Sequence, residues 1–372
     1  MSFNALSLAT APVTQLSPYV PGKPLSELER EYGISNSIKL ASNENPLGPG
    51  SKARAAIAEA IKELGLYPDG NGFELKQALA KKHGCALEQI TLGNGSNDLL
   101  VMLAEAFLNA DTEAVFSQYC FAIYPIAIQA VGAVGRMAPA YPDSHSMALG
   151  HDLHAMFELV NANTRLVFIA NPNNPTGTWV DAADLKAFIA AVPPTTLVVV
   201  DEAYIEYVQD ESFADASRWL NEFPNLIVTR TFSKAYGLAG LRVGYALSHA
   251  SVADVLNRVR QPFNVNSVAL AAAAAALGDM EHLRASTELN ARGMQQLTVG
   301  VKALGLRVYP SKGNFLLINC ARPAGAVYEA LLRQGVIVRP VGGYGLPTQL
   351  RLTIGTEQEN ARLLAALKQA LQ

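Results

Sequence analysis

Short apolar runs bounded by turn residues alternate along this chain with amphipathic stretches, and the alternation predicts its elements. The runs RLVFIA (165–170), LVVV (197–200) and LIVT (226–229) read as buried strands, and 90–92 and 114–116 as shorter ones. Residues 52–64, 96–108 and 184–191 read as helices lying between them. Short apolar strands separated by helices predict an α/β architecture, a mostly parallel sheet covered on both faces.

After Pro262 the texture changes. Helical segments come first, among them the alanine-rich run 268–277, too short to span a bilayer and read as a buried or domain-linking helix. Short strands at 306–309, 314–319, 336–339 and 349–353 follow, which predicts a smaller α+β unit. At the other end, LSPYVPGKP (16–24) carries three prolines and a glycine and reads as an extended arm, with a short helix at 26–32 after it. The expected organisation is an arm of residues 1–40 packing on the small domain or a partner subunit, a large domain of 41–262 and a small domain of 263–372.

Composition narrows the class. Half of the 372 residues are hydrophobic, 16% are charged and the net charge is −3, so the chain reads as a well-buried enzyme without the basic stripe of a nucleic-acid binder. The N-terminus lacks the basic start and apolar stretch of a signal peptide. Cys85, Cys120 and Cys320 have neither metal-site nor redox spacing, which fits reduced thiols in the cytoplasm. His151 and His154 are three apart with no third ligand nearby, so no metal site is expected. Glu202 and Glu206, four apart, read as solvated or capping.

Four motifs fall at strand ends, where open α/β sheets bind ligands. Lys234 follows the strand at 226–229 among hydroxyls and small residues. A neutral lysine amine condenses with carbonyls, and Thr231, Ser233 and Arg242 supply hydroxyls and positive charge suited to a phosphate. Asp201 ends an apolar strand, where a carboxylate is costly unless it meets a cation such as a protonated pyridine nitrogen. Tyr204, three residues on, shares its side if the segment turns helically. In NPNNPTG (171–177), prolines and glycine build a rigid turn that fixes its asparagines, and a held amide can donate to a ring oxygen. In GNGSND (93–98), Gly95 lets backbone approach an anion, and Ser96 and Asn97 open a helix whose amides are free. Each motif alone has a plainer reading: a solvated lysine, a capping aspartate, a common turn, or Ser96 and Asn97 as caps. Together they suit one ligand, pyridoxal 5'-phosphate.

At these residues the chain resembles the fold-type I aminotransferases, and more closely their histidinol-phosphate branch. The stretches that carry the resemblance include KLASNENPLGP, LYPDGNG, VVDEAYIEY, RTFSKAYGLAGLRVGY and LRLTIGT, and with LSPYVPGKP they run from Leu16 to Thr356. The resemblance implies that Lys234 bonds the cofactor aldehyde and then moves protons, that Asp201 pairs with the ring nitrogen, and that Tyr204 and Asn174 meet the ring oxygen. Gly95, Ser96, Asn97, Thr231, Ser233 and Arg242 would hold the phosphate, and Phe121 would stack on the ring where the family often has tyrosine. Tyr67 would reach the phosphate of a neighbouring subunit, which implies a homodimer with shared sites. Arg351 would bind substrate carboxylate, Arg339 is a second candidate for an anionic substrate, with a partly buried ion pair as its plainer reading, and Tyr19 would close over the substrate. The substrates so implied are glutamate and a phosphorylated imidazole compound. An aromatic amino-acid aminotransferase and a threonine-phosphate decarboxylase share the scaffold. A regulator without turnover would need a DNA-binding segment that the arm does not resemble, and a dinucleotide-binding dehydrogenase a glycine where Asp98 stands.

Overall fold

Each longer apolar run becomes a strand in the computed structural model, which describes residues 3–210, 213 and 215–372. In chain order the strands are β1 (Ile38–Lys39), β2 (Ile90–Gly93), β3 (Glu113–Ser117), β4 (Val134–Ala138), β5 (Thr164–Ala170), β6 (Leu197–Asp201), β7 (Leu226–Thr231) and β8 (Gly244–Ser248). Then follow β9 (Arg307–Val308), β10 (Phe315–Asn319), β11 (Val336–Ile337), β12 (Arg339–Pro340) and β13 (Gln349–Thr353).

Seven strands form one sheet in the order β2-β8-β7-β6-β5-β3-β4. All run parallel except β8, which is antiparallel to both neighbours. Alternation along the strands explains why both faces are buried. Val198, Val200 and Val228 face a layer that includes helices Ala182–Ala191 and Ser267–Leu277. Val199 and Ile227 face helices Ser96–Phe107, Ile123–Ala130 and Ala250–Val259. Each such side chain contributes roughly 1.5–3 kcal/mol by leaving water.

β4 and β8 have no counterpart in the apolar pattern. β4 is an edge strand, exposed at Val134, Gly135, Arg136 and Met137, and its Arg136 pairs with Glu113 of β3 at 2.6 Å. The helix expected at 52–64 ends earlier, running Ser51–Ala60 with a 3-10 turn Ile61–Glu63 beyond it.

The second sheet is antiparallel, in the order β12-β13-β10-β9. The strand expected at 336–339 is two: Val336–Ile337 pairs with β1, whereas Arg339–Pro340 pairs with β13. The hydrogen-bonding edge of this segment therefore changes partner at Val338. The strand expected at 306–309 keeps only Arg307–Val308. In the arm, Gln129 donates to the Pro12 carbonyl at 3.3 Å, and Leu28 of helix Leu25–Tyr32 packs with Ala41, Leu332 and Ile337. No helix among the described residues is long and apolar enough to cross a membrane.

Because β2, β3, β5, β6 and β7 point the same way, their C-terminal ends share one edge of the sheet. The loops carrying all four motifs leave from that edge.

Candidate active site

A cavity of about 310 Å³ opens at this edge. Its lining includes Ser96, Asn97, Phe121, Asn174, Asp201, Tyr204, Thr231, Ser233, Lys234 and Arg242. Of the cofactor residues expected from sequence, only Gly95 and Tyr67 are outside the lining.

Gly95 instead lies just beneath it. It caps helix Ser96–Phe107 at φ +83°, and a Cβ there would come within 2.3 Å of Arg242 Nη2. Only glycine allows this approach of backbone to guanidinium. No side chain caps the helix, so the capping role open to Ser96 and Asn97 is not taken; the Asp98 amide donates to the Gly95 carbonyl, and the Ser96 and Asn97 amides remain for an anion. Across from them, Arg242 Nη1 donates to Ser233 Oγ at 3.2 Å and to the Ala239 carbonyl at 3.0 Å.

Asp201 is buried. Its Oδ2 accepts from Tyr124 OH at 3.0 Å and its Oδ1 from Thr229 Oγ1 at 3.1 Å. Burial pushes its carboxyl up to about 6, while these two hydroxyls pull it down. Its hydrogen-bond partners are neutral, which leaves a cation in the cavity as the natural counter-charge.

Lys234 Nζ donates to the Ser42 carbonyl at 3.1 Å and lies 5.8 Å from the Tyr204 ring centre. Burial brings the amine down to about 7, helped by the positive charge of Arg351 and then of Arg242, and opposed by Glu44 and Asp201. A large neutral fraction is therefore present near neutral pH. Tyr204 OH accepts from Asn43 Nδ2 at 2.9 Å, and burial raises the phenol to about 12, so it stays protonated. The segment is not an α-helix there: Tyr204 precedes a 3-10 turn, Ile205–Tyr207.

Arg351 of β13, Arg339 and Tyr19 are outside the lining; Arg351 reaches it by donating from Nη1 to Asn174 Oδ1 at 2.5 Å, and its Nη2 donates to the Ala41 carbonyl at 2.6 Å. Its buried Nε has no partner among the described residues. Arg339, its neighbour across the β12–β13 ladder, donates to the Val20 carbonyl at 2.8 Å and sits 5.7 Å over the Tyr19 ring. No ion pair holds Arg339 among the described residues. Tyr67 is 83% exposed and stacks on Phe263, away from the cavity of its own chain.

With these positions fixed, the match to known proteins is decisive. The model of the family described as aminotransferase class I and II matches residues 35–367. The chain belongs to this family. A curated aminotransferase from Pseudomonas aeruginosa, histidinol-phosphate aminotransferase 2, is 59% identical over 368 residues, 98% of each chain. Histidinol-phosphate aminotransferase 1 from Nitrosococcus oceani is 54% identical over 365 residues, 98% of this chain and 97% of that one. Among solved structures, histidinol-phosphate aminotransferase from Sinorhizobium meliloti in complex with pyridoxal-5'-phosphate has a TM-score of 0.90 at 31% identity, covering 98% of both chains. Thermus thermophilus aspartate aminotransferase with maleate, at 22% identity and a TM-score of 0.82, shares the fold. Family and complex together imply pyridoxal phosphate for this aminotransferase.

Several residues of the site went unnoticed in the sequence. Ser42 and Glu44 line the cavity, and Asn43, at φ +56°, orients Tyr204. They lie in ASNEN, whose only signal was similarity. Tyr124 carries no pattern that distinguishes it from core. Glu202 and Glu206 need correction: the first is buried and the second partly so. Glu202 is 1% exposed and bonded to Arg230 at 2.7 Å, and Glu206 Oε1 is buried with no partner among the described residues. His151 is likewise buried, its Nε2 3.0 Å from the Ala170 carbonyl, whereas His154 is exposed.

Proposed function

We propose that this aminotransferase interconverts L-histidinol phosphate and 2-oxoglutarate with imidazole acetol phosphate and L-glutamate, using pyridoxal phosphate bonded to Lys234. The observation that carries the chemistry is the convergence of a depressed lysine amine, a carboxylate without a cationic partner and an anion cradle in one cavity. The substrates follow the relatives' names.

The residues fit the cofactor. Ser96, Asn97, Thr231, Ser233 and Arg242 make a cradle for its phosphate, close enough that a Cβ at Gly95 would intrude. Asp201 would supply the counter-charge to the ring nitrogen, Tyr204 and Asn174 would hold the ring oxygen, and Phe121 would cover a ring face. When bound, pyridoxal phosphate supplies an aldehyde that bonds amines and a ring that delocalises the electrons left at the substrate α-carbon. Lys234 would take the proton from the substrate α-carbon and return it, a role its amine suits because a large part of it is neutral near pH 7. Arg351 and Arg339 provide two cationic sites for carboxylate and phosphate. Arg351 exchanges neutral partners for the anion, so no existing ion pair is broken.

In this reading residues 41–262 form the cofactor domain, 263–372 the smaller domain and 1–40 an arm. Tyr67 completes the phosphate site of a second copy in a homodimer. The exposed Ile61, Leu64, Leu66, Tyr67 and Phe73 supply an apolar face for that contact.

Borohydride reduction of the purified enzyme, followed by peptide mass analysis, tests the cofactor: the adduct is expected on Lys234, and a colourless protein without adduct refutes the assignment. Steady-state rates with histidinol phosphate and with phenylalanine, each with 2-oxoglutarate, test the substrate. A higher kcat/KM for phenylalanine would make this an aromatic amino-acid aminotransferase.

A further inference from the structure

Behind the cavity, on the other side of β6 and β7, lies a buried charged cluster that none of the steps above uses. Residues alternate sides at these strand ends. Asp201 and Thr229 are paired across the ladder and hydrogen-bonded on the cavity side. Glu202 and Arg230, the next residues along, meet on the far side. Arg230 donates to Glu202 Oε2 from Nε at 3.0 Å and from Nη2 at 2.7 Å, and to Asp215 at 2.5 Å. Glu202 Oε1 accepts from the Ala216 amide at 2.8 Å, and the Glu202 amide donates to the Thr229 carbonyl at 2.9 Å. The exposures of Arg230 and Glu202 are 3% and 1%.

The cluster extends beneath the Lys234 loop. Lys82 Nζ donates to Tyr236 OH at 2.6 Å, two residues past Lys234. Tyr245, opposite Arg230 on β8, has its OH 3.0 Å from His83 Nε2. Glu206 lies within the field of Lys82 and Arg230.

A buried ion pair adds little net stability over a well-packed apolar pair. What a guanidinium fork on a carboxylate adds is fixed geometry. Here that geometry is fixed at the two residues that immediately follow the Asp201–Thr229 contact. We propose that Glu202 and Arg230 are positioning residues: they clamp the ends of β6 and β7 so that Asp201 keeps its alignment with the cofactor ring. The inference rests on the cofactor reading above.

The test uses the holoenzyme of the double variant E202Q/R230Q, which removes both charges of the pair, while the half-buried Asp215 keeps its bond from the Ser217 amide at 2.9 Å. Three quantities are read: thermal unfolding, the pH midpoint of the visible cofactor band, and kcat and KM for glutamate. The midpoint is expected to rise by about half a unit or more, because weaker Asp201 pairing leaves the ring less positive and the nitrogen at Lys234 more basic. A fall in kcat of ~10-fold, with KM changed less than ~2-fold, is expected alongside. A role in stability alone would move the unfolding temperature and neither of the others. If the double variant folds with the wild-type midpoint and kcat, the proposal is wrong. Should it fail to fold, the near-isosteric E202Q decides by the same midpoint, an unchanged value again overturning it. A wild-type protein with no visible band would instead refute the cofactor reading.

Discussion

Asp201 ends β6, Lys234 and Arg242 stand on the segment joining β7 to β8, and most of their hydrogen bonds stay within the large-sheet layer: Tyr124, Thr229, Ser233, Ala239. Arg351 and Arg339 stand on the other sheet and bond outward, to Asn174, Ala41 and Val20. The cofactor wall is thus fixed within one layer, whereas the substrate wall is set by how the second sheet and the arm meet the first. Chemistry should therefore fail with changes in the first wall, and substrate choice should drift with changes in the second.

The severest test of this division is Lys234→Ala. It removes both the bonding amine and the proton carrier, and kcat should fall by ~10⁴-fold or more. A variant with a tenth of wild-type activity would mean that another group carries the proton. On the substrate wall, Arg351→Ala should lower kcat/KM for glutamate by ~100-fold while the cofactor stays bound. Loss of the cofactor from that variant would erase the distinction between the walls.

The pH dependence of loading sharpens the first wall. The Lys234 amine bonds the cofactor only when neutral, and its pKa is lowered to about 7 by burial and by Arg351 and Arg242. Covalent uptake by cofactor-free enzyme should therefore rise ~10-fold per pH unit below 7 and level off above it. A rise continuing to pH 9 would show the amine to be unshifted. Arg339→Ala should cost ~10-fold in kcat/KM for histidinol phosphate and under ~2-fold for phenylalanine. Equal losses would remove Arg339 from substrate selection. The mildest change is Tyr124→Phe, which deletes one hydroxyl from Asp201. Its cost of about 0.5–1.5 kcal/mol should appear as a several-fold weaker cofactor affinity in equilibrium titration.

The same division describes what the sequence made visible. Lys234, Asp201, Asn174 and Ser96 each sit beside a recognisable strand end, turn or helix start, so local chemistry exposed them. β4 escaped because its face is solvated and carries no apolar run. Tyr124 escaped because a buried hydroxyl looks like core until its partner is known. Glu202 was misread for the same reason: spacing cannot show that Arg230, 28 residues on, folds against it. Val336–Arg339 read as one strand because composition does not record a change of partner at Val338.

The segment joining β1 to the cavity has a mechanical consequence. Lys39 is laddered to Ile337, and Ser42, three residues later, holds the Lys234 amine through its carbonyl. Asn45 then grips the Ala235 carbonyl and Ser286, each at 2.8 Å. Three residues reach at most about 11 Å when fully stretched, so the carbonyl that holds the reactive nitrogen stays tethered within that distance of the β1–β11 pair.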